Sequence, residues 1–259
     1  MRPTLAAVAL LVLGTQATAG ITSSGLAEIG VLPPADARVP LDSEWRDEHG
    51  ARKSLGEVIG QRPALAIFAD FTCSTLCGPV LGFAADALAR SGLRPGADYR
   101  VVVLGLDPKD GPEQAAHMKR ERIGDARVAS ATSFLGADAP TVRRVADALG
   151  YRFAYDAGHD QFAHPAAVFA LTARGRVTRV LSGLGIDPAD LRLALIEAGE
   201  GRVGTLVDHV RLLCYGFDPA IGAYTLAVRR GLFVVSALSV LALAALIGWM
   251  SLPTGPRAA

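Results

Sequence analysis

A chain of 259 residues with 26 Lys and Arg against 25 Asp and Glu, a formal charge of +1, has no field strong enough to recruit a polyanion, which argues against a nucleic-acid partner. Hydrophobic residues make up 51% and the mean hydropathy is +0.32, too high for a disordered chain and high for a soluble enzyme, so part of the chain is expected in a membrane. Three cysteines are too few for a disulfide-stapled miniprotein or a four-thiolate zinc site, and they confine any cysteine chemistry to one place.

Residues 1–19 read as a secretory signal: Arg2 gives the positive start, residues 5–13 a short apolar run, and Ala17-Thr18-Ala19 the small-x-small cleavage pattern. Residues 20–39, with Pro33-Pro34, read as an extended lead-in. The run 64–71 predicts a buried strand, 78–90 a helix with Val80, Leu81, Ala84 and Leu88 on one face, and 99–106 a second buried strand, which implies parallel pairing. Gly111-Pro112 opens a helix reaching Arg122, and Pro140 opens one reaching Leu149. Strands at 166–171 and 177–181 flank the turn Ala173-Arg174-Gly175, and Asp187-Pro188 caps a last helix ending at Ala198. A strand-helix-strand-helix half followed by a hairpin and a helix predicts an α/β sandwich of thioredoxin type, within a domain spanning 40–200.

Past that domain, 201–230 reads as a juxtamembrane segment of one short helix and a loop. Residues 231–251 carry no charge, and 21 residues rising ~1.5 Å each cover a hydrocarbon core of ~30 Å. This segment is read as a transmembrane helix, with Arg229-Arg230 and Trp249 at its borders. Signal and anchor together predict a single-pass protein of a bacterial inner membrane, its main domain in the periplasm and residues 252–259 a cytoplasmic tail. The scarcity of Lys, three of the 26 basic residues, fits a GC-rich bacterial genome.

The chemistry concentrates in Phe71-Thr72-Cys73-Ser74-Thr75-Leu76-Cys77-Gly78-Pro79, where the first strand hands over to the first long helix. Thiols four apart in a first helical turn face one side, and a helix N-terminus favours the thiolate. Such a pair can form a reversible disulfide or chelate a soft ion such as Cu(I). The spacing is C-x-x-x-C, not the C-x-x-C of dithiol oxidoreductases, which shifts weight toward metal. Among the five histidines His164 is the best third donor, because the loop before strand 166–171 lies, in this fold, beside the N-terminus of that helix. A Cys-Cys-His set can hold copper as Cu(I) or Cu(II). His159, in the polar stretch 156–161, reads as solvated, and His49, His117 and His209 have no partner visible in the sequence.

The segment 71–79, the segment Leu-Gly-Leu-Asp-Pro-Lys-Asp-Gly-Pro-Glu at 104–113, and His164 leading into a strand, in that order, resemble the Sco/SenC family of copper-handling assembly proteins over residues 40–200. The resemblance implies a thioredoxin-like fold, export, a membrane anchor, and a partner in cytochrome c oxidase subunit II, whose dinuclear copper site the family helps assemble, or in another copper acceptor. It implies that Cys73, Cys77 and His164 are the copper ligands and that Asp107 lies in the family's Asp-Pro loop behind the site. Cys214, in Leu213-Cys214-Tyr215-Gly216-Phe217-Asp218-Pro219, resembles a segment of members with a C-terminal anchor and is given no ligand role.

The sequence departs from the family pattern at three places. Gly78 stands where Pro often follows the second cysteine, Ala163 where Asp often precedes the ligand His, and Lys109-Asp110-Gly111 where the loop usually reads Arg-Asp-Thr. Pro165 occupies the place where thioredoxins carry a cis-proline facing the dithiol. The function so implied is a membrane-tethered copper chaperone, not an enzyme in the strict sense. The alternative is a thiol:disulfide oxidoreductase that keeps the acceptor's cysteines reduced, Cys73 attacking and Cys77 resolving.

Overall fold

The computed structural model describes residues 29–73, 77–199, 215–218, 223–226 and 238–241. Its strands are β1 (Gly30–Val31), β2 (Glu44–Asp47), β3 (Arg52–Ser54), β4 (Ala64–Ala69), β5 (Arg100–Gly105), β6 (Thr132–Gly136), β7 (Tyr151–Arg152), β8 (Ala154–Asp156), β9 (Gln161–Ala163), β10 (Ala167–Leu171) and β11 (Val177–Ser182). Its helices are α1 (Leu55–Ile59), α2 (Cys77–Arg90), α3 (Pro112–Arg122), α4 (Ala126–Ser130), α5 (Ala139–Ala148) and α6 (Pro188–Ala198).

Every side chain of β4 is buried, so the strand must be covered on both faces, a condition met only inside a sheet. It lies third in a seven-stranded sheet of order β11-β10-β4-β5-β6-β2-β3, with β4–β5 and β5–β6 parallel and the other pairs antiparallel. The two-residue period of a strand then sorts the core. Leu65, Ile67 and Ala69 point into a cluster with α2, α3, α4 and α6, while Ala64, Ala66 and Phe68 point into a second cluster with α1 and α5. Three layers, helix on sheet on helix, result.

The helix starts follow from local chemistry. Ser54 and Glu57 cap α1 reciprocally, Asp138 accepts from Thr141 N–H ahead of α5, and Asp187 accepts from Ala189 N–H ahead of α6. Pro112 and Pro188 sit in first turns, where a missing N–H costs nothing.

The sheet is larger than the sequence pattern predicts, because β2, β3 and β6 were not expected as strands. In β2 burial alternates, with Trp45 and Asp47 inward and Glu44 and Arg46 outward, and an inward-facing carboxylate blurs the apolar pattern. Residues 29–39 run along the domain with a turn at Ala35-Asp36, closed by Ala37 N–H to the Pro34 carbonyl at 3.1 Å, and are stitched to it: β1 pairs with β7, Leu32 N–H donates to Gly150 O at 2.9 Å, and Val39 N–H to Gly175 O at 2.9 Å. Gly150 has φ +59, and any Cβ there would collide with the Leu32 carbonyl, so glycine is required at this crossing.

The signal segment 1–19 and the tail 252–259 lie outside the described residues. Within 201–230 the described residues are two antiparallel paired strands, β12 (Tyr215–Asp218) and β13 (Ala223–Leu226), and the short helix and loop expected in this segment otherwise lie outside the described residues. Of the candidate span 231–251 only 238–241 are described, as helix, and among the described residues no helix is long and apolar enough to cross a membrane.

Candidate metal centre

The thiol loop leaves the C-terminal end of β4 at Asp70, where a parallel α/β sheet presents its crevice to solvent. Because β10 runs antiparallel to β4, with Val168 opposite Ile67, the approach to β10 lies beside the exit of β4. That register brings His164 to the thiol loop although the two are far apart in sequence.

One buried carboxylate spans both sides. Asp70 is fully buried; its Oδ1 accepts from Thr72 N–H at 3.1 Å and Thr72 Oγ1 at 3.0 Å, and its Oδ2 accepts from Phe162 N–H at 2.9 Å, two residues before His164. Cys73 N–H donates to the Asp70 carbonyl at 3.2 Å, and Phe71 N–H to Asp110 Oδ2 at 2.9 Å. The loop backbone is therefore held by carboxylates from its own start and from the 107–111 turn. Asp107, in the Asp-Pro loop, is also buried and accepts from Lys109 N–H at 2.9 Å. Lys109 in turn reaches the β8–β9 hairpin, 3.4 Å from Asp160 Oδ1 and 5.4 Å above the Tyr155 ring.

Cys73 is 7% exposed and packs in the first core cluster. Burial holds the His164 imidazole below its ordinary pKa, against the opposing pull of its hydrogen bond to the Pro165 carbonyl and of the charges of Cys73 and Asp70. Tyr151 Oη lies 2.8 Å from both His164 Nδ1 and the Pro165 carbonyl oxygen, and His164 Nδ1 lies 3.2 Å from that same oxygen. The His164–Pro165 bond is trans, unlike the cis bond of thioredoxins.

Cys73 and His164 thus stand at one end of the sheet, on two segments joined through Asp70, whereas the Cys77 side chain and all of Cys214 lie outside the described residues, although the backbone of Cys77 opens α2. Among the described residues no three or more His, Cys, Asp or Glu side chains form a metal cage. A thiol and an imidazole are donors of the soft and borderline kind that copper takes. The other described histidines stand on the surface beside carboxylates: His49 by Glu48, His117 by Glu121, and His159 by Asp156.

The sequence assigns Asp70, Asp110 and Tyr151 no role at the site. A carboxylate closing a six-residue apolar run was the available signal for Asp70; Asp110 and Tyr151 carry none, since their contacts are tertiary. Burial first, then the neighbouring charges of Asp70 and Asp107, raise Asp110 to about 6, although the Phe71 N–H pulls the other way. The folded state therefore holds this proton more tightly than the unfolded chain does. Stability falls as pH rises from 3.8 to about 6, and the penalty stays constant above. Asp110→Asn keeps an acceptor for Phe71 N–H and removes the charge. It should raise stability at pH 7 by about 1–2 kcal/mol after allowance for solvent screening, with no gain below pH 3.8, as read by urea unfolding at both pH values.

No family model matches the chain, and no curated protein matches it. Solved structures do. A candidate electron transfer protein of Aquifex aeolicus VF5 superposes with a TM-score of 0.56 at 22% identity, over 66% of this chain and 96% of that one. A SCO1/SenC family lipoprotein of Bacillus anthracis str. Ames gives 0.52 at 16%, over 66% and 99%. Arabidopsis thaliana ScoI with copper bound gives 0.51 at 14%, over 60% and 94%. At these identities the likeness is one of architecture: the chain has the mixed α/β fold of the Sco/SenC structures.

Proposed function

We propose that this chain is a copper-handling protein of Sco/SenC type, a membrane-tethered periplasmic chaperone that takes copper on Cys73, Cys77 and His164. Its partner on this reading is cytochrome c oxidase subunit II or another copper acceptor. The observation that supports the proposal is the junction of β4 and β10, where Phe162 N–H, two residues before His164, bonds the buried Asp70 carboxylate whose other oxygen accepts from Thr72 N–H, next to Cys73. The likeness in fold to a copper-bound ScoI supports it.

Copper is the cargo. Two thiolates and one imidazole suit Cu(I), and the imidazole also serves Cu(II). Transfer proceeds by ligand exchange, one donor released as a thiolate of the acceptor takes its place, and a tether near a membrane-bound acceptor raises the effective concentration.

Cytochrome c oxidase activity in strains carrying chromosomal variants tests the role. His164→Ala should abolish it as completely as Cys73→Ser, because both remove a donor. A thiol:disulfide reductase working through the same cysteines would tolerate His164→Ala, and an external thiol reductant would rescue Cys73→Ser. That pair of results would overturn the chaperone reading.

A further inference from the structure

Tyr151 is 1% exposed and sits in the second core cluster, on the far side of the sheet from Cys73. Its ring stacks on Phe68 with centroids 4.3 Å apart at 20°, and meets Phe169 edge-on at 5.9 Å and 67°. A phenol wedged in this way has little rotational freedom, so the position of its hydroxyl is set by the core. That hydroxyl is shared between His164 Nδ1 and the Pro165 carbonyl oxygen.

The triangle of contacts decides where the imidazole proton sits. A carbonyl oxygen only accepts, and a phenol carries one proton. If Tyr151 donated to Nδ1, the Pro165 oxygen would face the phenol oxygen at 2.8 Å and Nδ1 at 3.2 Å with no proton on either line, two acceptor–acceptor contacts, and would keep only the Ala167 N–H at 3.1 Å as a donor. If Tyr151 donates to the Pro165 oxygen instead, Nδ1–H donates to the phenol oxygen and leans toward the same carbonyl. Every polar atom of the triangle is then satisfied.

We infer that Tyr151 is a positioning residue that fixes His164 as the Nδ1–H tautomer, which puts the ring's lone pair on Nε2 and makes Nε2 the metal donor. The inference deepens the copper reading and rests on it only for the role of Nε2; the proton assignment stands on the hydrogen bonds alone. A partner on the far nitrogen of a metal-binding imidazole fixes its orientation and raises its basicity, and loss of such a partner lowers metal affinity by about 10–100-fold.

The test uses the full chain, 15N-labelled at histidine and free of metal, at a pH where the imidazole is neutral, with the His164 signals identified by their loss in His164→Gln. Native protein should show a protonated Nδ1 and an unprotonated Nε2 at His164. Tyr151→Phe, which keeps the ring and removes only the hydroxyl, should shift His164 toward a tautomer mixture and weaken Cu(I) binding in competition with a chelator by about tenfold or more. A native His164 protonated at Nε2, or a Tyr151→Phe spectrum unchanged at His164, would overturn the inference. Native protein with the expected tautomer that takes up no copper would support the proton assignment and sink the copper reading instead.

Discussion

Lys119→Met should cost the fold about 3–5 kcal/mol, the range for breaking one side of a buried ion pair. Lys119, on α3, donates to Glu48 Oε1 and, at 2.6 Å, to the Thr132 carbonyl, while Glu48 Oε2 accepts from Phe134 N–H at 3.0 Å. The two side chains are only 20% and 6% exposed, so this pair ties α3, β2 and β6 together out of reach of most solvent. Without the ammonium, a carboxylate stays buried with one backbone donor, and the Thr132 carbonyl loses the Lys119 bond. His49, at 3.8 Å and 81% exposed, stands too far out to replace it. The double variant Glu48→Leu with Lys119→Met removes both charges and should recover more than half of the loss, because an apolar pair carries no desolvation penalty. Guanidinium unfolding of the three proteins decides. A single-variant loss below about 1 kcal/mol, the scale of a surface pair, would show that the pair is solvated.

What the sequence declared and what it withheld divide along the range of the interactions. The apolar run at β4, the Gly111-Pro112 start of α3 and the Asp187-Pro188 start of α6 are local signals, and the structure places those elements within a residue or two of expectation. That the approach to β10 lies beside the exit of β4 followed from topology, because an antiparallel strand beside β4 must begin where β4 ends. The bracing was invisible for the complementary reason. Phe71 meets Asp110 across 39 residues and Phe162 meets Asp70 across 92, and no short-range pattern encodes such pairs. Tyr151 stands in a two-residue strand whose partner is the lead-in, so neither its burial nor its hydrogen bonds could be read from its neighbours. Strands β2 and β6 carry polar buried residues, Asp47 and Thr132 among them, which dilute the apolar period that announces a strand.

Removing one thiolate should be the most damaging change at the centre itself. Cys73→Ser replaces a soft anionic donor with a hard neutral one and should lower Cu(I) affinity on the order of a thousandfold, about 4 kcal/mol. Cys77→Ser should match it, and Cys214→Ser should leave the affinity unchanged. Oxidised chain, with its thiols joined as a disulfide, should take up no copper, since the same sulfurs cannot serve both bonds. The most direct measurement is a Cu(I) titration of the full, reduced chain against a competing chelator, with Cys73→Ser run beside it. The account predicts about one tightly held Cu(I) per native chain and none held tightly by Cys73→Ser. Native protein that takes up no Cu(I), or Cys73→Ser that binds it as the native chain does, would contradict it.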